Sequence, residues 1–161
     1  MKLYFNADEV FEMAEDIERQ GAAFYSKAAG LFSDSDIKNM LEGLSKMEVA
    51  HEKKFKKMRS EILSDAFKGY DPDEMATAYI HAFTEGKVFA KGSDMCDALS
   101  AKSTLSEILR MAIEAEKNSI LFYTGIRKAL PEAKSKNAIE DIIDEEMKHI
   151  VMLSDKLKSI A

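Results

Sequence analysis

The chain has 161 residues, 46% of them hydrophobic and 32% charged, with no Trp, two Pro and seven Gly. That mixture suits one domain over residues 1–161, built from long helices around a substantial core, and leaves little material for a turn-rich β fold. A formal charge of −6 with no concentrated basic stripe argues against nucleic acid as a main partner, and no stretch approaches the ~20 apolar residues of a membrane span.

The first helix is expected from about Ala7 to Ala29. Asn6 and Glu9 have the capping-box spacing that opens a helix. Phe11, Ala14, Glu18, Gly21, Tyr25 and Ala28 form an inward stripe, and Gly30 is the expected terminator. The second helix starts near Ser35-Asp36, and its stripe is Ile37, Leu41, Leu44, Glu48, His51, Phe55 and Met58. Only Glu48 and His51 are polar in that run. Lys53-Lys54-Phe55-Lys56-Lys57 is the densest basic patch and reads as a solvated helix face.

Residues 64–102 must carry the chain to the next long helix. Asp71-Pro72-Asp73-Glu74 offers a cap residue, Pro at the first helical position and Glu in the first turn, so a helix is expected to run to about Thr84. Gly86 stops it, and Gly92-Ser93-Asp94 starts a further short helix through Leu99. His81, in this crossover, reads as a surface or packing residue. Thr104 and Glu107 then open a helix whose stripe is Ile108 or Leu109, Ala112, Glu116, Ser119, Tyr123 and Ile126. A last helix follows Pro131 with Ile139, Ile142, Glu146, His149, Leu153 and Leu157 inward. The expected fold is all-α: a four-helix bundle of two helical hairpins, 6–63 and 103–160, joined by a long crossover with one or two short helices.

The two hairpins repeat one another. Glu18, Phe24 and Tyr25 recur as Glu116, Phe122 and Tyr123, and Glu48-Val-Ala-His51 recurs as Glu146-Met-Lys-His149, each pair 98 positions apart. A Glu-x-x-His step puts both side chains on one helix face. Two such steps, with one Glu from each of two other helices, form the ligand set of carboxylate-bridged di-iron bundles. Counting residues from each hairpin turn, at ~1.5 Å per residue, brings all six to one level of the bundle.

Four carboxylates on apolar stripes are costly to bury as anions. Two divalent ions balance them while both imidazoles stay neutral, so Glu18, Glu48, His51, Glu116, Glu146 and His149 are the candidate metal ligands. Glu48 and Glu146 are assigned as bridges, Glu18 and Glu116 as terminal carboxylates, and His51 and His149 as terminal nitrogens. Oxygen-rich ligation with two imidazoles suits iron or manganese, or a mixed pair. Tyr25 and Tyr123, two turns beyond the first- and third-helix Glu, pack the core, hydrogen-bond ligands or relay electrons. Glu145 is a candidate for orienting a His ligand; its counterpart in the repeat is Met47. Gly21 and Ser119 occupy equivalent positions, and their small size either leaves room for an oxidant or admits neighbouring side chains.

The single Cys96 excludes an intramolecular disulfide and a cysteine-rich metal centre, and fits a reducing compartment. The segment Met1-Lys2-Leu3-Tyr4-Phe5 lacks the apolar stretch of a secretory signal. A cytoplasmic location is the expectation.

With Glu18-Arg-Gln-Gly-Ala-Ala-Phe-Tyr25, Glu116-Lys-Asn-Ser-Ile-Leu-Phe-Tyr123 and both Glu-x-x-His steps, the chain resembles the rubrerythrin branch of the ferritin-like superfamily over nearly its whole length. The resemblance implies a non-haem di-iron centre that reacts with hydrogen peroxide or dioxygen. Two departures stand out. Rubrerythrins carry a rubredoxin-like domain with four Cys around one iron, whereas this chain has one Cys and would need a separate electron donor such as a rubredoxin. They also carry an extra Glu one turn beyond the third-helix ligand, where this chain has Ser119, which puts redox-linked ligand switching in doubt. The expected function is a di-iron peroxidase or oxidase, and a homodimer is compatible with it. Ferrous-iron oxidation for iron handling and a non-enzymatic metal-binding bundle or sensor are the alternatives.

Overall fold

The computed structural model describes residues 6–63, 72–85, 94–131 and 133–161. Its helices are α1 (Ala7–Ala29), α2 (Ser35–Leu63), α3 (Glu74–Glu85), α4 (Asp94–Ala98), α5 (Leu105–Ala129) and α6 (Ala133–Ser159). No strand occurs among the described residues. The long pairs α1–α2 and α5–α6 are the two expected hairpins, with α3 and α4 in the crossover.

Local chemistry sets the boundaries. Asn6, in extended conformation, accepts from the Glu9 N–H at 3.3 Å. At α5 the box is reciprocal: Glu107 N–H donates to Thr104 Oγ1 at 3.2 Å, and Thr104 N–H donates to Glu107 Oε2 at 2.8 Å. Asp34 starts α2 by accepting from the N–H groups of Asp36 and Ile37, each at 3.0 Å. At α3 the expectation needs correcting. Pro72 lies outside the helix, and Asp73 is the cap, accepting from Ala76 N–H at 3.0 Å. The Asp73 carboxylate, two residues beyond the expected cap, satisfies an orphan helix donor, which the Pro72 ring with no acceptor cannot do. Asp71, Gly86, Gly92 and Ser93 fall outside the described residues. Gly30 does end α1, but at φ −67° it stays right-handed.

The hairpins point in opposite directions. One apolar cluster joins the start of α1 (Phe11, Ala14) and the end of α2 (Phe55, Met58) to the end of α5 (Phe122, Ile126) and the start of α6 (Ile139, Ile142). The other joins the end of α1 (Phe24, Ala28) and the start of α2 (Leu41, Leu44) to the start of α5 (Ile108, Leu109) and Leu153 of α6. The crossover must therefore run the length of the bundle, from the end of α2 back to the start of α5. Each buried large side chain in these clusters stabilises the fold by ~1.5–3 kcal/mol.

The crossover helices dock on opposite hairpins. The Tyr79 ring of α3 lies against Gly125 of α5, where an added Cβ would come within 2.6 Å of the ring, and Tyr79 Oη donates to Leu121 O at 2.8 Å. Glycine permits this close approach. At the other end Lys27 Nζ of α1 donates to Cys96 O of α4 at 2.5 Å. Within the first hairpin, Arg59 of α2 reaches Asp8 at 2.6 Å and the buried Glu15 at 3.4 Å. Arg19 of α1 reaches Glu52 of α2 at 2.9 Å. Lys53, Lys54, Lys56 and Lys57 are exposed around the buried Phe55, as the solvated-face reading requires.

Candidate metal centre

A polar layer separates the two apolar clusters. Glu18, Glu48, His51, Glu116, Glu146 and His149 all turn inward there, none more than 4% exposed. Each sits where the helical stripe of its element demands an inward side chain. The six come together from four helices, two from each of α2 and α6 and one from each of α1 and α5.

Their ligand atoms form two sets. One contains Glu18, Glu48, His51 and Glu146, and the other Glu48, Glu116, Glu146 and His149; within each set the atoms lie within 4.8 Å of one another. Glu48 and Glu146 belong to both. Glu146 divides its oxygens, with Oε1 2.8 Å from His51 Nδ1 and Oε2 2.8 Å from His149 Nδ1. Glu18 Oε2 is 3.4 Å from His51 Nδ1, and Glu116 Oε1 is 3.5 Å from His149 Nδ1. The imidazoles face each other with ring centroids 5.8 Å apart.

These atoms approach without aligning as hydrogen bonds. Glu18 Oε2, Glu48 Oε1, both Glu146 oxygens and both Nδ1 atoms are buried and make none. Buried polar atoms are rarely left so. Lone pairs that converge on common points, rather than on one another's protons, suit a cation at each point. The donor set of carboxylate oxygens and imidazole nitrogens fits two divalent ions, whose four charges offset four carboxylates.

The electrostatics carry the same strain. Burial raises the Glu18 and Glu116 carboxyls, the latter to about 7, and pushes Glu48 well above the ordinary carboxylate range. Burial alone would lower the imidazoles, but Glu146 and Glu18 hold His51 up at about 11, and Glu116, Glu146 and Glu48 hold His149 up at about 12. The cluster is thus an excess of negative charge that holds protons where no stronger cation replaces them.

Surrounding groups hold these side chains in place. Tyr25 Oη donates to Glu116 Oε1 at 2.5 Å, and Tyr123 Oη donates to Glu18 Oε1. Burial pushes both phenols well above their ordinary range, so each keeps its proton and acts as a donor. Of the readings open for these tyrosines, hydrogen bonding is present, alongside packing such as Tyr123 on Phe55 with centroids 4.8 Å apart. Glu145 meets His51 Nε2 and is itself met by Lys54 Nζ at 3.2 Å. Sequence reasoning assigned Lys54 only to a solvated face; its place one turn beyond His51 was the available signal. His149 Nε2, by contrast, is buried and makes no hydrogen bond among the described residues. The Ser119 hydroxyl turns back to donate to Ala115 O at 3.0 Å. His81 stands apart on α3, with Nδ1 3.8 Å from Glu85.

One solved structure matches with a TM-score of 0.75 over 98% of both chains. The fold is ferritin-like. That neighbour, from Thermotoga maritima and 22% identical, is provisionally described as a ferritin-like diiron-carboxylate protein. No protein-family model matches the chain, and neither does any curated protein. Among the described residues no helix is long and apolar enough to cross a membrane. The chain thus combines a ferritin-like bundle with a buried carboxylate–imidazole cluster able to hold metal.

Proposed function

We propose that the chain is a rubrerythrin-like di-iron oxidoreductase that reduces hydrogen peroxide, or dioxygen, with electrons from a separate donor protein. The observation that carries this reading is that Glu48 and Glu146 belong to both ligand sets. Shared carboxylates would hold two ions close enough to act on one small oxidant together. A bound iron pair supplies two electrons, one from each ion, and Lewis acidity toward the oxidant's oxygens.

The protein's own groups supply the rest. Glu18 with His51, and Glu116 with His149, would give each ion one carboxylate and one imidazole. Tyr25 and Tyr123 hold the terminal carboxylates in place and keep protons at Oη beside the reacting centre. Glu145 accepts a hydrogen bond from His51 Nε2–H, which fixes the tautomer that leaves the Nδ1 lone pair free and directed inward. The Ser119 hydroxyl donates to Ala115 O and offers no carboxylate, so a carboxylate exchange using that position has no means here. The single Cys96 cannot form a four-cysteine iron site, and this makes an external donor such as a rubredoxin part of the proposal. A cytoplasmic setting would supply one.

The test is anaerobic loading with ferrous iron, then rapid mixing with one equivalent of hydrogen peroxide. Growth of near-ultraviolet absorption from a coupled ferric pair, much faster than oxidation of buffer-bound iron, is expected. Retained iron with no such absorption would end the oxidoreductase reading and leave the metal site standing.

A further inference from the structure

A cleft of about 290 Å³ lies between α1 and α5, and its floor is the metal centre itself, at Tyr25, Glu48 and Glu116. Ile17, Phe24 and Met111 supply apolar wall, and Gln20 and Asn118 supply polar lining. The space exists because the repeat places a small residue at the same point in both copies. Gly21 and Ser119 both line the cleft. A Cβ at Gly21 would stand 3.3 Å from Glu48 Oε2, so any larger residue there would press on the floor as well as fill the space. On the α2–α6 side, in contrast, both imidazoles are fully buried.

The cleft is far larger than hydrogen peroxide requires. A water molecule's share of liquid volume is ~30 Å³, and an apolar cavity of ~150 Å³ holds benzene. This one has about ten times the first volume and twice the second. It is also mostly apolar away from its floor, which favours a ligand with one reactive polar end and a compact hydrocarbon body.

We propose that this cleft binds the apolar body of an organic hydroperoxide and aims its hydroperoxyl group at the metal centre. The inference rests on the peroxide-reducing reading above and names its substrate class. The reaction is ROOH + 2 e⁻ + 2 H⁺ → ROH + H₂O. The O–O bond breaks with two electrons that a bound ferrous pair would supply, one from each ion, and two protons drawn from water.

Two measurements test it. Calorimetric titration of the iron-loaded resting protein with 2-phenylpropan-2-ol, the alcohol formed from cumene hydroperoxide, should show saturable binding without turnover. Stopped-flow oxidation of the reduced protein by cumene hydroperoxide and by hydrogen peroxide should then be compared in the wild type and in Ala115→Leu and Ile17→Phe, which add bulk to the walls. The ratio of the organic to the hydrogen peroxide rate constant should fall by about tenfold or more in each variant, as overpacking of a ligand site predicts. Absence of alcohol binding to the wild type, or an unchanged ratio in folded variants, overturns the organic-substrate inference while rapid oxidation by hydrogen peroxide leaves the peroxidase reading intact. Failure of both peroxides overturns the two together.

Discussion

Tyr25 of α1 hydrogen-bonds Glu116 of α5, and Tyr123 of α5 returns the contact to Glu18 of α1. Each tyrosine lies two turns beyond the glutamate of its own helix yet serves the glutamate of the other. The two hairpins are therefore tied at the candidate metal centre by an exchange of donors, buried where no water competes.

Tyr25→Phe and Tyr123→Phe should each leave the helical content unchanged and weaken metal binding by about 10–100-fold, the usual effect of removing a ligand's hydrogen-bond partner. Competition against a chromophoric chelator measures this. Wild-type affinity in both variants would show that the phenols only pack.

The two ligand sets predict stoichiometry. His51→Ala or Glu18→Ala removes a group from one set only, and should reduce bound metal from two ions to about one per chain. Glu48→Ala or Glu146→Ala removes a member of both sets and should empty most of the site. Cys96→Ser should retain both ions. Elemental analysis of purified variants decides it, and equal occupancy across all of them would refute the ligand assignment.

Glu145 makes the two ion positions unequal, because His51 Nε2 has a carboxylate partner and His149 Nε2 has none. Glu145→Gln should weaken one equivalent of metal by about tenfold or more and spare the other. A two-step chelator titration resolves the equivalents. Met47→Glu, which restores the missing counterpart, should bring the two steps together; parallel loss of both equivalents in Glu145→Gln would contradict the asymmetry.

The metal-free protein should respond to pH in an unusual direction. Burial lifts Glu116 from 4.5 to about 7, whereas an unfolded chain loses that proton near the ordinary value. The associated stability is fully present below 4.5 and is lost as pH rises through about 7. His51 and His149, held up at about 11 and about 12 by neighbouring carboxylates against the opposing effect of burial, extend the decline to higher pH. Calorimetric melting should therefore fall between about pH 5 and 9 without metal. Metal must displace these protons, so its affinity should rise over the same interval, with protons released to an indicator dye on loading. A melting temperature that climbs with pH in the metal-free state would contradict this.

Much of this was legible because few forces compete over a long helix. The apolar stripes located all four long helices, and Glu48 and His51 stood out as the polar members of an otherwise apolar run. The fixed offset then linked them to Glu146 and His149. Short-range features were harder. Asp73 displaced the capping expected at the Asp71-Pro72 pair because a single side-chain bond decides such a boundary. The tyrosine exchange was not legible as such, since a stripe tells which way Tyr25 points and not which hairpin it meets. The cleft was foreshadowed only by the small residues Gly21 and Ser119, whose alternative use, admitting neighbours, differs by the docking distance of α1 and α5.

The inequality at Glu145 and Met47 also says something about why the two hairpins share one chain. Two identical hairpins meeting about a twofold axis could complete the same six-residue cluster, but every substitution would then appear on both sides of the axis. Covalent linkage through the crossover frees the halves to diverge. One imidazole has a carboxylate partner and the other has none among the described residues, so a centre assembled from near-copies could hold two ions of different character.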